Sequence, residues 1–349
     1  MTAQHAKAAT MVAQQAQLDA GTIEGWLPRS CLIYVTDTRY LPLTLTSLLT
    51  ASRTMPASMD AIIYLDDVPA PVRDEAMAFL RDWGVPAHLI DFEIDSLFTD
   101  TARIPLWREG ISRAGFARLG LCAAPDGYET HVVLDGDTLV GGDMTELVSV
   151  RPTTFAAVRS SHSRKGWEYL YCDRGMPIAR DYFNAGLMVI NASMWRDEGI
   201  AARCMSLVED RSTDGLLDRP MRDQEILNLI FGNTFHRLNP NWNFMPKRSW
   251  DRPKVEPSIV HFAGRTCPWD RRDSRSLPVF RQIYEETFAR MPKALTPATE
   301  ALALSDRNLR RARRFRPWLG RANRDYRKAW NPGHASMVAH WASRLPWYN

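Results

Sequence analysis

Two aspartates flank one glycine in the segment HVVLDGDTLVGGDMTEL, and Asp135, Gly136 and Asp137 stand where a buried apolar run gives out. Residues two apart on a strand project to the same side, so both carboxylates can face one point. Two carboxylates aimed together repel unless a cation lies between them. A hard divalent ion, Mg²⁺ or Mn²⁺, suits such a pair and commonly brings phosphate oxygens as further ligands. Gly136 would let a ligand approach the backbone closely. The plainer alternative is a polar strand exit, because Asp and Gly are frequent in turns.

The elements around this pair read as alternating strands and helices. CLIYVTD (residues 31–37), AIIYLDD (61–67), AHLIDFE (87–93) and THVVLDGD (130–137) are short, apolar and β-branched, and predict buried strands. LPLTLTSLLTAS follows the first strand at helical length, with Pro42 near its start, where a missing N–H costs nothing. VRDEAMAFLRDWG is an amphipathic helix stopped by Gly84, and ISRAGFARLGLCAA a further helix ending before Pro125. TFAAVRS, AGLMVIN and SIVHF predict later strands, and SMWRDEGIAARCMSLVED and RDQEILNLIFG predict helices. Such alternation argues an α/β, doubly wound, mainly parallel sheet, which binds ligands at the carboxyl ends of its strands.

With 349 residues, 45% apolar and 24% charged, the chain can bury a full core. Residues 1–29 are rich in Ala and Gln, lack the apolar run of a signal peptide, and predict a mobile leader. The five cysteines (Cys31, Cys122, Cys172, Cys204, Cys267) form no CxxC pair, which argues against a zinc ribbon and for a reducing, cytoplasmic setting. From Ala301 onward, eleven Arg and Lys face only Asp306 and Asp325. This balance of +9 leaves −5 for the rest of a chain whose net charge is +4. The expected organisation is a leader (1–29), a catalytic domain (30–294) and a basic, aromatic C-terminal region (295–349).

The ordered set VVLDGDTLV, YFNAGLMVINASMWR, RDQEILN, NPNWNFMP and VHFAGRTCPW resembles family 8 glycosyltransferases, the family of glycogenin and of bacterial lipopolysaccharide galactosyl- and glucosyltransferases. The resemblance runs from about Cys31 to Trp269. It implies a GT-A fold (a Rossmann-like, mixed, mainly parallel sheet flanked by helices), a UDP-sugar donor, Mn²⁺ with Mg²⁺ as the alternative, and retention of the anomeric configuration. It also implies roles for particular residues. Asp135 and Asp137 match the DxD metal ligands and His261 the third ligand; an imidazole favours Mn²⁺ over Mg²⁺. Val35, Thr36 and Asp37 match the uridine-binding turn, with Tyr40 available to stack on the base; Asp37 or Thr38 would equally serve as a helix N-cap. Arg118 and Gly264 match donor contacts, and Gly136 lies within the same donor motif. Asn184, Ala185 and Gly186 match the segment beside the donor sugar, whose small residues would allow close backbone approach. Asp223 and Gln224 match the residues flanking the sugar, in catalytic roles; Asp223 would also suit the first turn of a helix. The family's Lys before Pro-Trp is replaced here by Cys267, with Arg265 nearby as a substitute charge.

The resemblance implies transfer of a hexose from UDP-glucose or UDP-galactose to a glycan or lipid-linked glycan acceptor. The expected setting is cytoplasmic, with the tail attaching peripherally to the anionic inner face of a membrane. Two other readings compete. One is a Mn²⁺- or Mg²⁺-dependent nucleotidyltransferase, which also needs paired acids. The other is a non-catalytic nucleic-acid-binding protein whose tail Arg grip phosphate while Phe315, Trp318, Tyr326 and Trp330 stack on bases. Family members acting on lipid-linked sugars often end in a basic, aromatic tail, so the resemblance favours a membrane surface over nucleic acid as the tail's partner. No GxxxxGK[ST], GxGxxG or GxSxG occurs, so ATPase, dinucleotide and hydrolase readings lack support.

Overall fold

The computed structural model describes residues 30–93, 97, 114–160, 181–209, 222–232, 234–246, 257–263, 267–270 and 278–303. The leader and everything after Ala303 lie outside these, as do Cys172, Gly264 and Arg265. A seven-stranded sheet runs in the order β3-β2-β1-β4-β7-β6-β8. Its strands are β1 (Ser30–Asp37), β2 (Met59–Asp66), β3 (His88–Phe92), β4 (Thr130–Leu134), β6 (Phe155–Arg159), β7 (Phe183–Asn191) and β8 (His236–Leu238). The first four strands in space are mutually parallel. β7 is antiparallel to both its neighbours, β4 and β6, and β8 runs parallel to β6. The sheet is therefore mixed and mainly parallel, as expected. A second, two-stranded antiparallel sheet joins β5 (Thr138–Val140) to β9 (Ile259–His261).

The central strands are apolar on both faces because both faces are covered. Cys31, Ile33 and Val133 point into one apolar cluster beneath α3 (Ala114–Leu121), α5 (Ala192–Asp197), α6 (Ile200–Glu209) and α7 (Arg222–Phe231). Leu32, Tyr34 and Val132 point into the opposite cluster, beneath α1 (Leu41–Ala51) and α2 (Ala70–Asp82). The short helix α4 (Thr145–Ser149) adds Leu147 to that second cluster. A third cluster gathers Leu43, Leu139, Val260, Phe262, Trp269 and residues of α8 (Pro278–Arg290).

All eleven residues of α1 are buried, five of them Thr, Ser or Pro. Burying hydroxyls is tolerable only when each finds a partner. Thr46 donates to the Pro42 carbonyl at 2.8 Å and Thr50 to the Ser47 carbonyl at 2.7 Å. Ser47 bonds Tyr34 Oη at 2.9 Å and Thr138 Oγ1 at 2.7 Å. Thr138 in turn donates to the Asp135 carbonyl at 2.8 Å. The helix thus anchors the loop that carries the acidic pair.

Three expectations need correction. The strand expected over 130–137 ends at Leu134, and Gly136 and Asp137 form a turn. The carboxylates converge through that turn, not through strand alternation. The helix expected across SMWRDEGIAARCMSLVED is two helices, α5 and α6, broken at Gly199, whose φ of 61° is left-handed and stops the first helix. The boundary at 295 cuts packed structure. Leu295 is buried, and α9 (Thr296–Ala303) buries Leu302 in the third cluster, so the folded part continues to at least 303.

Candidate active site

β4 delivers Asp135 to the carboxyl edge of the sheet, where its N–H donates to the Gly186 carbonyl of β7 at 2.9 Å. Ile33 of β1 pairs with Val133, so the last residues of β1 run alongside the acidic turn. The turn leads directly into β5, whose Thr138 pairs with His261 of β9. This three-residue pairing carries His261 to the acids. Nε2 of His261 lies 3.1 Å from Asp137 Oδ1 and 3.4 Å from Asp135 Oδ2, with neither aligned as a hydrogen bond. One ligand atom from each of Asp135, Asp137 and His261 fits within 4.8 Å of the others. Two carboxylate oxygens and an imidazole nitrogen of this kind suit a divalent ion such as Mn²⁺.

Arg118, buried on α3, faces the acids from the other side. It pairs with Asp135 through Nη1 and with Asp223 through Nη2 and Nε, the last at 2.5 Å. Nη1 also donates to the Ala185 carbonyl at 3.2 Å. Burial works against its charge, but Asp135 and Asp223 outweigh that and hold the guanidinium more firmly protonated than usual. Desolvation opposes ionisation of Asp135; Arg118 and then His261 overcome it and bring the pKa down to about 2. Asp223 moves the other way, because burial, aided by Asp135, exceeds the help from Arg118. For His261, burial would lower the pKa, but Asp137 and Asp135 together raise it to about 9.

The glycines serve packing. A Cβ on Gly136 would lie 2.4 Å from Thr44 Oγ1, so Gly136 lets the acidic turn pack closely on α1. A Cβ on Gly186 would lie 2.0 Å from His261 Cε1 and 2.5 Å from Nδ1. Gly186 is the seat of the imidazole.

Comparison with known proteins gives this geometry a lineage. The description "Glycosyl transferase family 8" matches residues 31–273. The chain belongs to glycosyltransferase family 8. Its relatives include General stress protein A of Bacillus subtilis (strain 168), 25% identical over 54% of this chain and 68% of that protein. The lipopolysaccharide glucosyltransferase WaaO of Escherichia coli (strain K12) is 27% identical over 39% of this chain and 42% of its own length. The lipopolysaccharide 1,3-galactosyltransferase of Salmonella typhimurium is 26% identical over 41% of this chain and 45% of its own. The solved galactosyltransferase LgtC, in complex with donor and acceptor sugar analogs, superposes with a TM-score of 0.64 at 21% identity, covering 77% of this chain and 99% of that one. The fold is therefore the GT-A fold, and the chain is a glycosyltransferase.

Within this family 8 chain, the expected site residues fall into three groups. Asp135, Asp137, His261, Arg118 and Asp223 form one continuous electrostatic cluster. Asn184, Ala185 and Gln224 form a buried hydrogen-bonded unit, in which the Gln224 carbonyl accepts from Asn184 Nδ2 at 2.8 Å and from the Ala185 N–H at 3.0 Å. That carbonyl is therefore engaged by two protein donors. Val35, Thr36, Asp37 and Tyr40 lie at the β1 exit. There Asp37 Oδ1 accepts the Tyr40 N–H at 2.9 Å, so Asp37 closes the turn, while Tyr40 itself occupies the N-cap position of α1. The Arg39 guanidinium lies 5.8 Å from the Tyr40 ring centroid. Cys267 packs in the third apolar cluster with Trp269, so this position supplies apolar burial where the family has a charge. Gly264 and Arg265 lie outside the described residues. Sequence reading assigned no role to Asn243, Tyr182 or Glu225, although each sits inside a quoted motif; all three are joined to the site by hydrogen bonds.

Two outcomes are expected. Gly186→Ala should displace His261 and cut transfer activity by at least about 100-fold, the scale of misplaced catalytic geometry, with little change in the far-UV spectrum. In chelator-treated protein, the His261 contribution to stability is fully present below the ordinary histidine value of 6.5 and is lost as pH rises through about 9. A shift of that size corresponds to about 3 kcal/mol. Urea melts at about pH 6 and pH 9.5 should show the loss, and His261→Gln should flatten it.

Proposed function

We propose that this chain is a metal-dependent, retaining hexosyltransferase that uses UDP-glucose or UDP-galactose and an acceptor glycan. The observation that carries the reading is the meeting of Asp135, Asp137 and His261 at one point in a family 8 chain. Asp135, Asp137 and His261 would hold a divalent ion, Mn²⁺ in preference to Mg²⁺, which when bound stabilises the charge growing on a departing diphosphate without proton transfer. Arg118 keeps Asp135 ionised and oriented toward that point, and Asp223, beside it, would accept hydrogen bonds from donor hydroxyls and favour positive charge developing on the sugar. With the Gln224 carbonyl engaged and an amide a poor nucleophile, same-face attack by the acceptor fits the site better than a covalent step. Val35, Thr36, Asp37 and Tyr40 would receive the uracil at the end of β1. Relatives described as lipopolysaccharide glucosyl- and galactosyltransferases support a hexose donor and a glycan acceptor.

The lipid link and the membrane attachment rest on the basic, aromatic tail. Among the described residues no helix is long and apolar enough to cross a membrane. Near an anionic surface each Lys or Arg contributes about 1 kcal/mol, and Trp318, Trp330, Trp341 and Trp347 would add interfacial burial.

The reading is tested by following UDP release with UDP-glucose, UDP-galactose and UDP-N-acetylglucosamine. EDTA should abolish release, Mn²⁺ should restore it at least as well as Mg²⁺, and Asp137→Asn should abolish it; full turnover in EDTA would sink the metal role. Removal of residues 304–349 should leave UDP-sugar hydrolysis intact and end co-sedimentation with anionic liposomes, which in the intact protein should weaken at high salt. A truncated protein that still sediments would remove the tail from the account.

A further inference from the structure

Behind the imidazole of His261 lies a row of buried amides whose polarity can be worked out from the backbone. Side-chain amides are ordinarily ambiguous, since oxygen and nitrogen can exchange places. Here two backbone N–H groups, which can only donate, remove the ambiguity. Ala185 N–H donates to Gln224 at 3.0 Å, and Gly186 N–H donates to Asn184 at 3.0 Å, so both acceptors are oxygens. The same Asn184 oxygen meets Asn243 at 2.8 Å, which must therefore present its NH₂. The other end of Asn243, 2.9 Å from His261 Nδ1, is then its oxygen. An oxygen can only accept, so Nδ1 carries a proton. In the neutral ring the lone pair is left on Nε2, on the side of Asp137 and Asp135.

The far end of the row is consistent with this direction. Asn184 donates to the Gln224 oxygen at 2.8 Å, Gln224 donates to Tyr182 Oη at 2.6 Å, and Tyr182 donates to the Glu225 carboxylate. Every link runs the same way, from His261 to an acid. Asn243 and Asn184 are 4% and 8% exposed, and His261 is 1% exposed, so water does not compete for these links. Asn243 is itself held by backbone. It ends a 3-10 turn, Pro240–Asn243, capped by the Asn239 side chain, and Trp242 beside it is buried in the core. The next residue, Phe244, accepts the His261 N–H at 2.8 Å.

We infer that Asn243 is a positioning residue for the cation site: it accepts the Nδ1 proton of His261 and so fixes the tautomer and ring angle that turn Nε2 to the carboxylates. The inference rests on the cation-binding reading given above, and it concerns binding, so its test needs no turnover. Mn²⁺ affinity is measured on chelator-stripped protein, without donor, from the electron paramagnetic resonance signal of free Mn²⁺, with thermal melting to confirm folding. Asn243→Leu keeps the volume and removes the acceptor; it should weaken Mn²⁺ binding by about 10–100-fold, the usual effect of losing such a partner. Asn243→Ala provides a second deletion should the leucine variant not fold, with the same expected direction. Asn243→Asp keeps an acceptor for Nδ1 while losing the donor to Asn184, and should bind Mn²⁺ within a few-fold of the parent. A leucine or alanine variant that binds as the parent does would overturn the inference, and so would an aspartate variant as weak as the deletions. A parent protein that binds no Mn²⁺ would overturn the cation site itself and this inference with it.

Discussion

Two carboxylates held close enough to share a cation repel each other, and much of the site is the means of holding Asp135 and Asp137 together. Positive charge approaches from both sides, Arg118 on one and His261 on the other. The consequences for ionisation differ along the cluster. Asp135, with a partner on each flank, is held low. Asp223, more buried and sharing the same Arg118, is pushed up. One arginine thus serves two acids unequally, because Asp135 also has His261 beside it while Asp223 is more buried and faces the charge of Asp135. The turn itself is pinned from below by hydroxyls of α1 and β5, which explains why a helix with no exposed face contains so many Thr and Ser residues.

The sheet divides this labour. Its parallel half ends β1 and β4 at a common edge, while its antiparallel half brings β7 back along β4 so that Asn184, Ala185 and Gly186 lie beside the acids. The reversal between β4 and β7 therefore lies directly under the site, at the edge where open α/β sheets bind their ligands.

How much of this could be read in the sequence depended on the strength of local pattern. β1, β2 and β4 were legible because they are continuous apolar runs buried on both faces, and the expected limits of CLIYVTD and AIIYLDD match within a few residues; β3, expected as a buried strand, lies at the sheet edge with only Phe92 buried. The acidic pair, His261, Arg118 and Asp223 were legible through ordered motifs, although the motifs carried no distances. Gly136 and Gly186 were recognised as close-approach positions, but the partner that approaches is Thr44 in one case and His261 in the other. A glycine announces that something comes near without saying what. β9 was legible as the apolar run SIVHF, but β5 was harder, because a three-residue strand has too short a pattern to separate from a loop, and the pairing of Thr138 with His261 is a tertiary fact. Asn243 lay in a quoted motif with no assigned task, since an amide acquires a direction only when its neighbours are in place.

The pairing of β5 with β9 also bears on the order in which the molecule is made. Residues 141–258 separate the two strands, and closing a span of that size comes late in folding because the entropy of closure precedes any contact energy. During synthesis the acidic turn emerges long before its histidine. Until β9 arrives, Arg118 is the cation available to Asp135, and Asp137 has no imidazole beside it. Completion of the active site thus waits on this pairing, so a chain arrested short of β9 would carry its acids without the means to use them.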